Sequence, residues 1–587
     1  MELNQEQKLA VEATENNVLV IAPPGSGKTR VITERAAYLM EHEHVSAYEI
    51  VLVTFTRLAA NEIRTRLIER VGNQAYHMTI GTFHAIALNL LHRFGDQIGF
   101  RKDNITVYGD FEEQFLLKET AKEMGIYNGK NWKIKKGDVD KVFEKYYQEG
   151  IEPDALNPVY DLFKSFMARC RENQSYTYGG LLTGMKLLIP LIHKYLNWKH
   201  LILDEAHDTD KLQWGLMEAI REYCGTSFFM VADIDQTLYS WRGAYPEYIM
   251  QHQDEYTLYK LNKNYRSRAS IVEAANKLIS HNQDRLPMEM VAARESDPLI
   301  ADVRVHRNVD SERLVQMKTT SDFLLPNDSQ PITILARNHA LLEKLSMLLE
   351  SAHIDHVYIG KDTALTNSEE FRRFHAFLKL IVNPFDNFAF LLIKDTIGLS
   401  AADYTEIRNN AAIAGQSHFQ AYINNKWIYG DEKYYDEFFD KYTEPKDDII
   451  TVTTAMSYLN FPFDIDPIRE FISKLDKSLD ISDYLDWLAT IDIQDEVKED
   501  YEGLTLMTIH AAKGLEWDTV IIAGCNEELL PSKQAIRNDE IQSERRLCYV
   551  AMTRAKDNLI LAVRPETTET NGKIYNNPIS RFIAEAL

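Results

Sequence analysis

Short apolar runs alternate along the chain with helix-length stretches whose apolar residues recur at three- and four-residue spacing. Val18–Ala22, Ile50–Thr54, His200–Leu203 and Phe228–Ala232 are such runs, each followed by a turn and an amphipathic stretch. This order predicts βαβ units and a parallel sheet. A second set recurs at Ile332–Ala336, Leu504–Thr508, Thr519–Ala523 and Asn558–Val563. The pattern therefore predicts an α/β fold with two cores. Two segments carry few strand signals and read as mostly helical insertions, one near 93–174 and one, aromatic and acidic, near 366–502. The expected division is 1–92 with 175–262, then 93–174, 263–365 with 503–587, and 366–502.

Length agrees with that division, since 587 residues make about four domains at roughly 150 residues each. Sixty-five basic against 88 acidic residues leave a formal charge of −23. This excludes a protein that holds nucleic acid by its net field; any such contact must be made in a local channel. The four cysteines, Cys170, Cys224, Cys525 and Cys548, form no C-x-x-C pair. A structural zinc or iron–sulfur site is not expected, and sparse cysteine suits a reducing cytoplasm. The polar, acidic N-terminus is unlike a signal peptide, and no apolar run reaches the ~18 residues of a membrane span. A cytoplasmic protein with no membrane partner is expected.

The first run leads into Ala22-Pro23-Pro24-Gly25-Ser26-Gly27-Lys28-Thr29-Arg30. Strand, glycine-rich loop and helix start in that order make a phosphate cradle. Gly25 and Gly27 let backbone N–H groups turn inward, Lys28 reaches terminal phosphates, and Thr29 suits Mg²⁺. The helix N-terminus adds its dipole. The plain alternative is a glycine-rich turn. The third run ends in Asp204-Glu205-Ala206-His207-Asp208. A carboxylate there sits at the C-terminal edge of a sheet, where Asp204 is placed to hold Mg²⁺ and Glu205 to orient or deprotonate a water.

Asp-Glu-Ala-His alone suggests a superfamily 2 helicase, but neither Ser-Ala-Thr nor Gln-x-x-Gly-Arg-x-Gly-Arg follows. Val231–Ala244, with Asp233-Ile-Asp-Gln236 and Tyr239-Ser-Trp-Arg-Gly243, instead resembles motif III of the UvrD/Rep/PcrA family, the superfamily 1A DNA helicases. Further blocks agree in the family's order. Leu3–Gln7 resembles the Q motif, Val53–Thr56 motif Ia, Gly81–His84 motif Ib, Asn264–Ser267 motif IV, Thr508–Glu516 motif V and Glu544–Ala555 motif VI. The resemblance implies two RecA-like P-loop lobes, 1A and 2A, closing on ATP with Mg²⁺. Each carries an insertion, 1B or 2B. It also implies movement 3′→5′ on single-stranded DNA and action at single-strand/duplex junctions.

The resemblance also implies roles. Gln7 reads adenine, Tyr265 stacks on it, Glu516 accepts from the ribose hydroxyl, and Gly514 is a further ATP-binding position. Arg266 and Arg554 approach the γ-phosphate from the second lobe as arginine fingers, and Gln236 senses that phosphate. Phe55, Tyr239 and Trp241 stack on bases, while Thr82, His84, Arg242 and His510 contact the strand. Phe83 fits strand contact or core equally well. Lys130–Lys136 is a candidate duplex contact.

The chain departs from the family at His207, Arg57-Leu58, Ala232 and Ile234. After motif VI the stretch 564–575 is polar, with Tyr575 the one aromatic candidate for a strand-separating wedge. The short remainder leaves no fused nuclease expected. Three readings stand: a 3′→5′ helicase, a DNA-stimulated translocase or sensing subunit without robust unwinding, and an ATP-switched binding module. Pathway and protein partners, a nuclease included, are not legible.

Overall fold

The computed structural model describes residues 2–587 except 102–103, 240–241, 287, 297–301, 307–331, 360–362, 367, 430–432, 443, 460, 474–478, 491–502, 565 and 569–573. The strands in chain order are β1 (Asn17–Ile21), β2 (Ile50–Thr54), β3 (Thr79–Thr82), β4 (Thr106–Tyr108), β5 (Ser175–Thr177), β6 (His200–Leu203), β7 (Ser227–Ala232) and β8 (Thr257–Lys260). They continue as β9 (Lys263–Arg268), β10 (Val291–Arg294), β11 (Val303–His306), β12 (Ile332–Ala336), β13 (His356–Tyr358), β14 (Leu504–Thr508), β15 (Trp517–Ala523), β16 (Ala555–Ala562), β17 (Glu566–Thr568) and β18 (Ile574–Asn576).

Two six-stranded sheets carry the fold, in the orders β3-β2-β6-β7-β1-β8 and β11-β16-β15-β12-β14-β13. Every pairing in both is parallel. The runs predicted from apolar continuity become the four central strands of each sheet, covered on both faces and therefore apolar throughout. Edge strands β3, β8, β11 and β13 lie outside those predictions. β8 has three exposed residues of four, which removes the apolar signal.

In the first sheet Ile21 pairs with Ala232 and Val53 with Leu203. The carboxyl ends of β1, β2, β6 and β7 therefore share one edge. The glycine-rich loop, Phe55, Asp204–Asp208 and Asp233–Gln236 all leave the sheet there.

The segment 93–174 holds helices Asp110–Glu123, Lys136–Glu149 and Tyr160–Glu172. It also holds β4, which pairs in parallel with β5, a small sheet the apolar pattern did not predict. The segment 366–502 runs from helix Glu369–Val382 to helix Ile481–Thr490, with no strand among the described residues. Its core is aromatic, built around Phe374, Phe377, Phe390, Tyr422 and Tyr484.

The two segments meet in a buried polar seam. Tyr108 Oη donates to Asp386 Oδ1 at 2.6 Å, Asn383 Nδ2 donates to the Asn173 carbonyl at 2.8 Å, and Lys379 pairs with Glu112 at 2.6 Å. Phe388 joins Tyr108 and Phe163 in one apolar cluster beside it. The second segment also reaches the first sheet's helices, where Arg57 Nη1 donates to the Trp487 carbonyl at 2.7 Å. No helix among the described residues is long and apolar enough to cross a membrane.

Candidate functional site

A cleft of about 720 Å³ separates the glycine-rich loop from the second sheet, and residues of both sheets line it. The loop starts where β1 ends: the buried Ala22 N–H donates to the Ala232 carbonyl, and Ser26 Oγ donates to the Pro23 carbonyl at 2.7 Å. Gly25 sits at φ +69°, and a Cβ there would lie 2.7 Å from the Cβ of Arg266. Only glycine admits this approach. Strand β9 holds the loop directly. Tyr265 N–H donates to the Gly25 carbonyl at 2.8 Å, and Asn264 Nδ2 donates to the Pro24 carbonyl at 2.8 Å. Gly27 caps the helix Lys28–Glu41, whose first residues, Lys28, Thr29 and Arg30, line the cleft.

Gln7 is buried behind the loop. Its Nε2 donates to the Ser26 carbonyl at 2.9 Å, and its Oε1 accepts from Asn4 N–H at 3.0 Å. Both ends of the amide are thus engaged in fixing the loop. Tyr265 is exposed at the cleft mouth, and its hydroxyl accepts from Asn4 Nδ2 at 2.8 Å.

The acidic turn is closely packed. Glu205 takes a left-handed conformation, φ +49°, which turns its carboxylate back toward the loop. There Oε2 lies 3.4 Å from Lys28 Nζ and 3.5 Å from His207 Nε2. Burial opposes the Glu205 charge, but the cations Lys28, Lys513 and Arg554 outweigh it and hold its carboxyl low. Burial and the neighbouring Glu205 raise the Asp204 carboxyl. The pair thus splits into a strong and a weak acid, with Asp204 and Thr29 both on the cleft wall. A hydroxyl and one carboxylate fit Mg²⁺, which takes few protein ligands and completes its shell with water and phosphate. Burial and the Lys513 charge push His207 well below its ordinary value, so its ring is neutral.

From β9, which pairs with β10 in a two-stranded sheet of its own, Arg266 Nε donates to Glu516 Oε2 at 2.5 Å and Nη1 to the Thr553 carbonyl at 3.1 Å. Arg554, 1% exposed, donates to the Val550 and Leu515 carbonyls and, at 3.1 Å, to Gln236 Oε1. Burial and the nearby Arg266 lower Arg554 to about 9, so it stays charged at neutral pH. Gln236 is held from both sides, since its Nε2 donates to Asp233 Oδ2 at 2.7 Å. Gly514 also lines the cleft.

The strand-contact candidates lie beside this site. The rings of Phe55 and Tyr239 stack with centroids 4.9 Å apart, so each covers a face of the other. Arg242 lies over Tyr239 at 5.8 Å, and Tyr239 Oη donates to the His510 carbonyl at 3.3 Å. Thr82 caps the helix Phe83–Phe94 through Ala85 N–H, and Phe83 belongs to the core. His84 stacks on Tyr178, centroids 4.1 Å apart. Trp241 lies outside the described residues. Tyr575 lies in β18, opposite Thr567 of β17 in an antiparallel hairpin. Lys130, Lys133, Lys135 and Lys136 are exposed.

Sequence reasoning missed five participants. Lys513 sits between two named motif V positions and crosses from the second sheet to Asp208 of the first. Asn4 and Asn264 secure the loop. Tyr178 follows β5, whose three residues are too few for a periodic signal. Arg285 grips Asp235 across the cleft, Nη2 to Oδ2 at 2.6 Å.

Two parallel sheets that meet over one glycine-rich loop make the chain an α/β P-loop protein whose site is shared between both sheets. Residues 3–257 match the UvrD/REP helicase N-terminal domain and residues 259–565 the UvrD-like helicase C-terminal domain. The chain is 30% identical to the ATP-dependent DNA helicase PcrA of Bacillus subtilis, over 99% of its own length and 85% of that protein. It is 26% identical to the PcrA of Staphylococcus epidermidis and 27% to that of Staphylococcus aureus, each over 99% of this chain and 86% of the relative. The chain belongs to the UvrD/REP helicase family.

Proposed function

We propose that this protein is an ATP-dependent 3′→5′ DNA helicase that couples hydrolysis to closure of its two sheets and to strand separation. The division in this reading is 1A (1–92 and 175–262), 1B (93–174), 2A (263–365 and 503–587) and 2B (366–502). The observation that carries the proposal is the Arg554–Gln236 hydrogen bond across the cleft. A charged guanidinium from one sheet reaches the phosphate side of the other only when the cleft is closed. Chemistry and lobe motion are then one event.

In this reading the loop N–H groups and Lys28 bind the phosphates of ATP. Thr29 and Asp204 would hold Mg²⁺, which supplies charge neutralisation on the phosphates when bound. Glu205, ionised and turned toward Lys28, orients the attacking water and takes its proton. Arg266 and Arg554 spread over the developing charge on the transferred phosphoryl group. Tyr265 stacks on the base at the cleft mouth, and Gln7, which also braces the loop, reads the base's edge.

Phe55, Tyr239 and Trp241, with Thr82, His84, Arg242 and His510, form the single-strand path, and the β17–β18 hairpin is the place for a separating wedge. The comparison with PcrA proteins supports DNA as the substrate and a bacterial setting. A strand-displacement assay on 3′-tailed and 5′-tailed duplexes tests the reading. ATP-dependent unwinding is expected from the 3′ tail. Unwinding only from the 5′ tail overturns the polarity, and DNA-stimulated hydrolysis with no unwinding from either leaves a translocase.

A further inference from the structure

Lys513 belongs to the turn after β14, on the second sheet, yet its ammonium is buried in the first. It donates to the Asp208 carboxylate and, at 2.9 Å, to the Gln236 carbonyl. The lysine side chain is 4% exposed and that of Asp208 not at all. Nζ also lies 3.0 Å from Nε2 of His207, whose ring touches Glu205. An ion pair within one sheet would merely stabilise it. Here the backbone of the cation and both its acceptors lie on opposite sides of the cleft, so the pair exists only with the sheets apposed.

The partner it leaves behind is costly. Asp208 Oδ1 is buried with no hydrogen-bond partner, so withdrawal of Lys513 strands a desolvated carboxylate. The socket therefore discriminates sharply between docked and undocked states.

The same turn faces the strand path. The His510 carbonyl accepts from Tyr239 Oη, and Lys513 Nζ lies 5.5 Å from the centre of the Tyr239 ring. A displacement of Tyr239 by a base is thus felt at the anchor of the lysine.

We infer that Lys513 is a positioning residue that docks into the Asp208–Gln236 socket on closure, sets Gln236 and Glu205 for hydrolysis, and links their placement to strand occupancy. This deepens the proposed function and rests on it. The lysine acts through its acceptors, so its loss should lower turnover rather than nucleotide affinity.

The test uses the full chain with Lys513→Met, Asp208→Asn and the double variant. DNA-stimulated ATP hydrolysis is measured as kcat and KM, and affinity with N-methylanthraniloyl-ATP. For Lys513→Met, kcat should fall at least about tenfold while KM and Kd stay within about twofold. The double variant should be no slower than the slower single one, as expected for two ends of one contact. If Lys513→Met does not fold, Asp208→Asn reads the same kcat loss alone. Unchanged kcat, a rise in KM or Kd without loss of kcat, or multiplying effects in the double variant overturns the inference. Absence of DNA-stimulated hydrolysis in the unaltered protein defeats the functional reading itself, a result distinct from any of these.

Discussion

Replacing Gly25 by alanine tests the apposition of the loop and β9 at a single atom. The added methyl carbon would stand 2.7 Å from Arg266 Cβ and 2.9 Å from Asn264 Nδ2. Neither neighbour is free to yield, because β9 is tied to the loop through Tyr265 N–H and Asn264 Nδ2. The left-handed φ of +69° adds backbone strain. Strain costs about 1–2 kcal/mol and overpacking about 1–3 kcal/mol more, together about 2–5 kcal/mol. At about 1.4 kcal/mol per factor of ten, kcat/KM for DNA-stimulated hydrolysis should fall roughly thirtyfold to a few thousandfold.

Gly514→Ala is the matched control. Its φ is +86°, but a Cβ there meets nothing within 4 Å. It carries the strain alone, and its loss should stay near roughly five- to thirtyfold. Opening the cleft relieves the clash but not the strain, so the two variants should melt at similar temperatures while differing in rate. A Gly25→Ala enzyme as fast as Gly514→Ala would show that β9 does not press on the loop during turnover.

Three further outcomes are expected. Glu205→Gln should retain nucleotide binding and lose about 10²–10⁴ in kcat, the range for a positioned general base; near-normal turnover in single-turnover kinetics removes it from that role. Arg554→Ala should cost about 10³–10⁵ in kcat, as loss of an arginine finger does; a loss below about tenfold would remove Arg554 from that role. His84 and His510 are each lowered from 6.5 to about 4, by burial first and then by Arg242 for His84 and by Arg337 and Arg242 for His510. The unfolded chain therefore takes up these protons first, and stability is lost as pH falls from 6.5 toward 4. Melting temperature should decline over that window, and His84→Gln should flatten the decline; an equal slope in the variant refutes this source.

The central strands were legible because strands buried on both faces have to be apolar throughout, and no tertiary knowledge is needed to see that. Lys28, Asp204 and Glu205 were legible for a related reason: Asp204 and Glu205 follow such a strand directly and Lys28 follows one across the short glycine-rich loop, so local order carries spatial meaning. Edge strands and the β4–β5 pair gave too short or too polar a signal. Lys513 was not legible, since its partner Asp208 lies 305 positions away in the chain and on the other sheet. Gln7 shows the opposite limit. Its motif suggests contact with a base, and the fold adds bonds from the same amide to Asn4 and Ser26 that no local pattern announced. A motif names a residue's neighbourhood, and only packing tells which atom is left for a ligand.

The seam between segments 93–174 and 366–502 carries a consequence for how those segments move. An apolar joint can slide, since dispersion and burial change gradually with displacement. A joint made of Asp386 with Tyr108, Asn383 with Asn173, and Lys379 with Glu112 has directional bonds and desolvated charges, so a partial shift loses nearly all of its energy. It behaves as a key in a lock with one seated position, and its release is a discrete event on the scale of ligand binding. A joint of this kind favours steps over drift, which makes each posture addressable by whatever binds it.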